Sequence, residues 1–275
     1  MNTGSPDPLV NHAPIIRDLP ELEGQTVVIT GGASGMGTVF LRELARRGVN
    51  GIGGDLDGER MASVAASINA ELADVEGSGR VVGTGADVTD PSAHDKLVNT
   101  ALDEFGRMDM WVNNAGIFSE AAFTDISSQS VALMYGVNVN GVIFGGQAAA
   151  RHFQTVGGGV IVNIASIGAE VTQPNRAVYN SSKAAVAHLT ECMALDLGPA
   201  NIRVNAIAPG QVDTEMFRIQ EGYAQLKQDA ADQVPLRRVG APVEVFGALS
   251  FLLSDSARYV NGAILPVDGG VRLVW

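Results

Sequence analysis

Tyr179 and Lys183, in the run Tyr179-Asn180-Ser181-Ser182-Lys183, stand four positions apart, so on a helix both fall on one face. A free phenol ionises near pH 10 (about 10), too high for a base at neutral pH, but a neighbouring ammonium favours the phenolate. Ser166 lies 13 residues before Tyr179, just past an apolar run, and its hydroxyl can hydrogen-bond a reacting oxygen. A lone Tyr-x-x-x-Lys is common on solvated helix faces. Beside a strand-end serine it becomes a candidate for moving a proton to or from an alcohol or ketone oxygen.

A second group suits a dinucleotide. Thr30-Gly31-Gly32-Ala33-Ser34-Gly35-Met36-Gly37 follows one apolar run and opens a helical pattern. Gly31 permits the turn out of the strand, Gly35 lets backbone approach a pyrophosphate, and Gly37 lets the next helix pack tightly. The helix N-terminus offers the phosphates unpaired N–H groups and its partial positive charge. Asp55, 18 residues after Gly37, can accept hydrogen bonds from adenosine ribose hydroxyls. A 2′-phosphate there would meet like charge, and the neighbours Leu56 and Ser34 bring no cation to neutralise it. The cofactor expected is therefore NAD(H) rather than NADP(H). Gly51, Gly53 and Gly54 make the stretch before Asp55 a poor strand, for no reason legible in the sequence.

These residues need a framework, and the chain alternates short apolar runs with helical patterns. Strands are expected at 26–30, 49–55, 81–86, 110–113, 160–165, 204–208 and 263–267. Helices are expected from Val39 through Ala45 with a stop at Gly48, then at 59–74, 131–153, 178–197 and 243–253. Another runs to Phe105 from Asp90 as N-cap and Pro91 as first helical residue. The pattern calls for an α/β fold: one Rossmann-type, doubly wound parallel sheet of about seven strands with helices on both faces. One domain over 22–275 suffices, after a flexible leader at 1–21. Residues 210–240 are the longest irregular stretch and read as a mobile substrate lid.

Composition narrows the function. The 275 residues carry 18 basic and 30 acidic side chains, a net charge of -12, which argues against binding a nucleic-acid backbone. Cys192 is the only cysteine and the four histidines are scattered, so no metal site is expected. Cys192 sits in an apolar run and reads as a small buried hydrophobe. No apolar stretch is long enough to span a membrane, and no signal peptide is legible, which makes the cytoplasm the default location.

The ordered motifs identify a resemblance. Besides the glycine run and Tyr179-Asn180-Ser181-Ser182-Lys183, the chain holds Asp87-Val88, Asn113-Asn114-Ala115-Gly116, Asn138-Val139-Asn140-Gly141, Asn163-Ile164-Ala165-Ser166, Pro209-Gly210 and Asp268-Gly269-Gly270. In this order they resemble the short-chain dehydrogenase/reductases over essentially all of 22–275. The resemblance implies a catalytic tetrad of Asn138, Ser166, Tyr179 and Lys183. Tyr179 would be the general acid/base, and Ser166 would orient substrate. Lys183 would bind the nicotinamide ribose and lower the tyrosine pKa, and Asn138 would hold a water in a proton relay. It further implies that Met36 contacts the pyrophosphate, Asp87 and Val88 the adenine, Asn114 and Gly116 with Ala115 the adenosine side, and Pro209, Gly210, Val212 and Thr214 the nicotinamide. Ala165 stands where many members carry serine. Asn140 is a second asparagine near the catalytic position, but its spacing to Gly141 favours Asn138.

The reaction expected is NAD(H)-dependent interconversion of a secondary alcohol and a ketone, a small-molecule substrate. The pocket is expected to draw on Ile117, Phe118, Ile167, Gly168, Val171, Arg176, Met216 and Phe217, mostly apolar, which suits a hydrophobic or cyclic substrate. Arg176 could instead recognise a carboxylate or sulfonate. The alternatives are a 3-oxoacyl-carrier-protein reductase, against which Asp55 and the net charge count, an NAD-using epimerase or dehydratase, and a non-catalytic NAD-binding protein. The resemblance also implies a homotetramer in which helices 131–153 and 178–197 pair between subunits. The terminal run Val271-Arg272-Leu273-Val274-Trp275 is apolar enough to prefer burial, with a neighbouring subunit as one place for it.

Overall fold

The computed structural model describes residues 19–218 and 222–275, with the side chain of Met216 excepted. Most of the expected leader (1–18), residues 219–221 of the expected lid and the assignment of Met216 to the pocket lie outside the described residues.

Seven strands, β1 (Thr26–Thr30), β2 (Asn50–Asp55), β3 (Val81–Gly85), β4 (Met110–Asn113), β5 (Gly159–Ile164), β6 (Ile202–Pro209) and β7 (Ile264–Val267), form one sheet. Their order is β3-β2-β1-β4-β5-β6-β7, and every pairing is parallel. Covered on both faces, β1 and β4 are buried at every residue, which explains their unbroken apolar runs. The strand order reverses between β1 and β4, so a crevice opens at their carboxyl ends.

On one face lie α1 (Gly35–Ala45), α2 (Gly58–Glu71) and α9 (Pro242–Leu253), whose Phe40, Leu41, Leu44, Met61 and Phe246 share a core with Val27 and Ile29. On the other lie α3 (Pro91–Phe105), α5 (Gly141–Val156) and α6 (Ala177–Leu197), packed around Trp111, Val28, Leu97 and Phe153. Asp90 caps α3 as expected, accepting from the Ser92 N–H, with Pro91 at the first helical position. The glycines of β2 now have a reason. A Cβ at Gly53 would meet Met61 Cε at 2.6 Å, and one at Gly54 would meet Leu97 Cδ1 at 2.9 Å. Helices on both faces approach this strand too closely for a side chain at these positions.

Three expectations are corrected. The helix foreseen at 131–153 is α4 (Ser128–Tyr135) and α5 joined by a π-helical turn, Gly136–Asn140. That turn inserts the extra residue that carries Asn138 inward, where it is 1% exposed. The stretch 210–240 is not irregular, for it contains α7 (Glu215–Arg218) and α8 (Tyr223–Gln233). Asp213 braces it by accepting from Arg218 Nε at 2.7 Å, Tyr223 OH at 2.8 Å and Lys227 Nζ at 2.8 Å. Cys192 is exposed rather than buried, because α6 turns Val186, Thr190 and Ala194 toward the sheet and the position beside them outward.

Candidate active site

The glycine run leaves β1 with Gly31 at φ +66° and Gly35 at φ +55°, backbone that favours glycine. A Cβ at Gly37 would lie 2.1 Å from the Gly31 carbonyl oxygen, so α1 begins pressed against the loop it follows. Asn114 holds this loop from β4: its side-chain N–H groups donate to the Thr30 and Gly31 carbonyls, both at 2.9 Å. The buried Thr30 hydroxyl returns the link, accepting from the Asn114 and Ala115 N–H groups at 3.1 Å. Thr30 was not singled out from sequence, since nothing in a strand-end threonine marks it as the clasp between two strands distant in the chain.

Beside the loop, Gly31, Ser34, Gly35, Met36, Asp55, Leu56 and Asp87 line a cavity of about 310 Å³, joined by Val88, Asn114, Ala115 and Gly116. Asp55 ends β2 with one carboxylate oxygen accepting from Ala33 N–H at 3.0 Å and the other from Asp57 N–H at 3.2 Å. Ionised carboxylate oxygens take more than one donor each, so capacity remains for ribose hydroxyls. The first-turn N–H groups of α1 have no partner within the helix. These residues fit an adenine dinucleotide: a glycine cradle that a Cβ would fill, a helix N-terminus for the phosphates, and a carboxylate for the ribose.

A second cavity, of about 420 Å³, meets the first at Met36, Asn114, Gly116, Ile117 and Thr214. Ser166, Ile167, Gly168, Arg176, Tyr179, Lys183, Pro209, Gly210, Val212 and Phe217 all line it. Ser166 follows β5, while Tyr179 and Lys183 share the inner face of α6. Lys183 is 5% exposed and donates to the Ile164 carbonyl at 2.8 Å, which engages one of its three N–H donors. A Cβ built on Gly116 would lie 3.4 Å from Asn138 Oδ1 and 3.5 Å from Lys183 Nζ, so the three groups converge. Asn138 also clamps the end of the loop after β4, accepting from Ile117 N–H at 2.8 Å and donating to the Ile117 carbonyl at 3.0 Å.

Burial pushes the Tyr179 phenol above its ordinary value, and this outweighs the hydrogen bond with Ser166 and the charge of Arg176, both of which favour the phenolate. The Lys183 nitrogen lies 5.9 Å from the phenol ring centroid, and burial brings its own pKa down to about 8.

The substrate side is more polar than the apolar set expected. Gln173, Asn180, Asp229 and Gln233 join the lining, and Arg176 is tied to Glu120 at 2.5 Å and to Gln173. Val171 faces an adjoining hollow instead. Trp275 lines the cavity and donates to Gln233 on α8 at 3.1 Å, so the apolar tail folds onto its own chain, although Leu273 and Val274 stay exposed. Residues of α8 and Trp275 were missed because helix 223–233 is too polar to announce a core-facing side.

A family model described as enoyl-(acyl carrier protein) reductase matches residues 31–272. L-rhamnose 1-dehydrogenase (NAD(P)(+)) from Azotobacter vinelandii is 37% identical over 90% of this chain and 96% of its own. The crystal structure of a short-chain type dehydrogenase/reductase from Mycobacterium marinum superposes with a TM-score of 0.84 at 32% identity, covering 91% of this chain and 96% of that one. The chain is a short-chain dehydrogenase/reductase. Another relative in this family, cis-4-hydroxycyclohexanecarboxylate dehydrogenase from Sinomonas cyclohexanicum, is 37% identical over 91% of this chain and 97% of its own. As a short-chain dehydrogenase/reductase the protein is an oxidoreductase that uses a nicotinamide cofactor. Among the described residues no helix is long and apolar enough to cross a membrane.

Proposed function

We propose that the protein interconverts a secondary alcohol and a ketone with NAD(H), and that Tyr179 is its general acid/base. The observation that carries this reading is the meeting of Tyr179, Ser166 and Lys183 on one wall of a cavity that opens directly into the glycine cradle and Asp55. Bound in that trough, NAD(H) supplies the redox partner for the carbinol carbon.

The chain's own residues do the rest. Ser166 hydrogen-bonds the substrate oxygen and holds it against Tyr179. In reduction the phenol gives that oxygen its proton, and in oxidation the phenolate removes it. Lys183 turns its remaining N–H donors toward the nicotinamide ribose, and its charge favours the phenolate when that ribose orders it. Asn138 joins Lys183 beside Gly116 and completes a route for the proton to solvent. Asp55 receives the adenosine ribose hydroxyls and disfavours a 2′-phosphate.

Arg176, Gln173 and Gln233 beside Phe118 and Trp275 suit a cyclic alcohol or ketone that carries a polar group away from its reacting carbon. The relative that acts on a hydroxycyclohexanecarboxylate is consistent with that class. The family model's description raises the carrier-protein reductase reading, but a chain of net charge -12 is poorly suited to docking an acidic carrier.

Tyr179→Phe should leave NADH affinity within about twofold while lowering turnover by about 10²–10⁴, the range of general acid/base catalysis. Because burial raises the phenol, it stays protonated through neutral pH. Ketone reduction should therefore hold its rate there, and alcohol oxidation should accelerate as pH rises. An oxidation rate that falls from pH 7 to 9, or turnover that survives the phenylalanine, overturns the tyrosine role. A panel of cyclic secondary alcohols followed by NADH absorbance provides the assay.

A further inference from the structure

Leu56 and Ser34 bring no cation to Asp55, but the fold brings one near. Arg60 is the third residue of α2, one turn beyond Asp55, and its backbone N–H is held by Asp57 Oδ1 at 3.0 Å. A cation in the first turn opposes the helix dipole, so its placement there does not serve the helix. Its guanidinium meets Glu215 at 2.5 Å, with both side chains about half exposed at 48%. Asp55 and Asp57 act on the same guanidinium charge, which places it within electrostatic reach of the ribose carboxylate. Glu215 opens α7 directly after Thr214, a residue that lines both halves of the trough.

We propose that the Arg60–Glu215 ion pair is a cofactor-selectivity element: Glu215 holds away the guanidinium that a 2′-phosphate would otherwise engage. The inference rests on the reading of Asp55 as the ribose carboxylate. Arginine receives phosphate through two parallel hydrogen bonds and is the side chain best shaped to do so. With Glu215 in place the guanidinium is already shared, and a second carboxylate adds its repulsion to that of Asp55. Removing that one charge releases the cation and leaves Asp55 untouched. Discrimination against NADP(H) then narrows without reversing.

The test is a fluorescence titration of NADH and NADPH into the wild-type chain, Glu215→Gln, and the Arg60→Ala/Glu215→Gln double variant. Glu215→Gln should tighten NADPH by about fivefold, the ratio that matches an exposed ion pair, and leave NADH within about twofold. The double variant should lose the gain. High salt, at about 1 M, should erase it as well. NADPH affinity unchanged in Glu215→Gln, or a gain that persists in the double variant, overturns the role of the pair while leaving the Asp55 reading standing. Wild-type protein that binds NADPH as tightly as NADH overturns the Asp55 reading itself, and the inference with it, before any variant is compared.

Discussion

At the scale of single residues, Lys183 shows a conflict between stability and function. Its ammonium is buried, and that burial lowers its pKa from 10.5 to about 8. Between those values the unfolded chain binds more protons than the folded one, so folding stability rises with pH across that window. Below about pH 8 the folded state carries the full penalty, about 3 kcal/mol. Lys183→Met should keep or raise the melting temperature at pH 7 and flatten its rise between pH 8 and 10, while turnover collapses. A melting temperature several degrees lower at pH 7 would show that the amine stabilises the fold. Tyr179 and Lys183 were legible as a pair because helical spacing alone puts them on one face. How strongly burial weighs on the phenol was not legible, since it depends on the elements packed around Tyr179.

At the scale of elements, the trough depends on how closely α1 follows β1. A methyl group at Gly37 would meet backbone, the Gly31 carbonyl at 2.1 Å, and no rotamer change relieves that contact. Gly37→Ala should reduce stability by about 1–3 kcal/mol and abolish NADH binding, read by urea unfolding and cofactor fluorescence. Binding that survives the alanine would mean the loop can shift without harm. The helix starts and stops were readable from caps such as Asp90-Pro91. The π turn at Gly136–Asn140 was not, because the hydrophobic pattern runs through it and only the clamp of Asn138 on Ile117 requires the extra residue.

At the scale of the whole molecule, Leu133, Val156 and Leu195 on α4, α5 and α6 are more than half exposed, and Cys192 on α6 is exposed as well. Large apolar side chains left open on neighbouring helices suit a subunit contact. We expect a homotetramer with these helices at its contacts, and Cys192 slow to react with thiol reagents until the assembly is diluted or unfolded. Sedimentation as a single 28.6 kDa species would overturn that expectation.

The periodicity of each strand and helix, the glycine cradle and the Tyr-Lys pair are local patterns along the chain, and Asp55 follows the cradle at a short fixed spacing. The sequence by itself therefore determined the fold class and pointed to the candidate side chains. Tertiary structure alone decided what those side chains face: the polar wall from α8 and Trp275, the Thr30 clasp, the glycines forced on β2, and the Arg60–Glu215 pair joining positions 155 residues apart. Each of these is a contact between segments distant in the chain, and no periodicity within either segment records its partner.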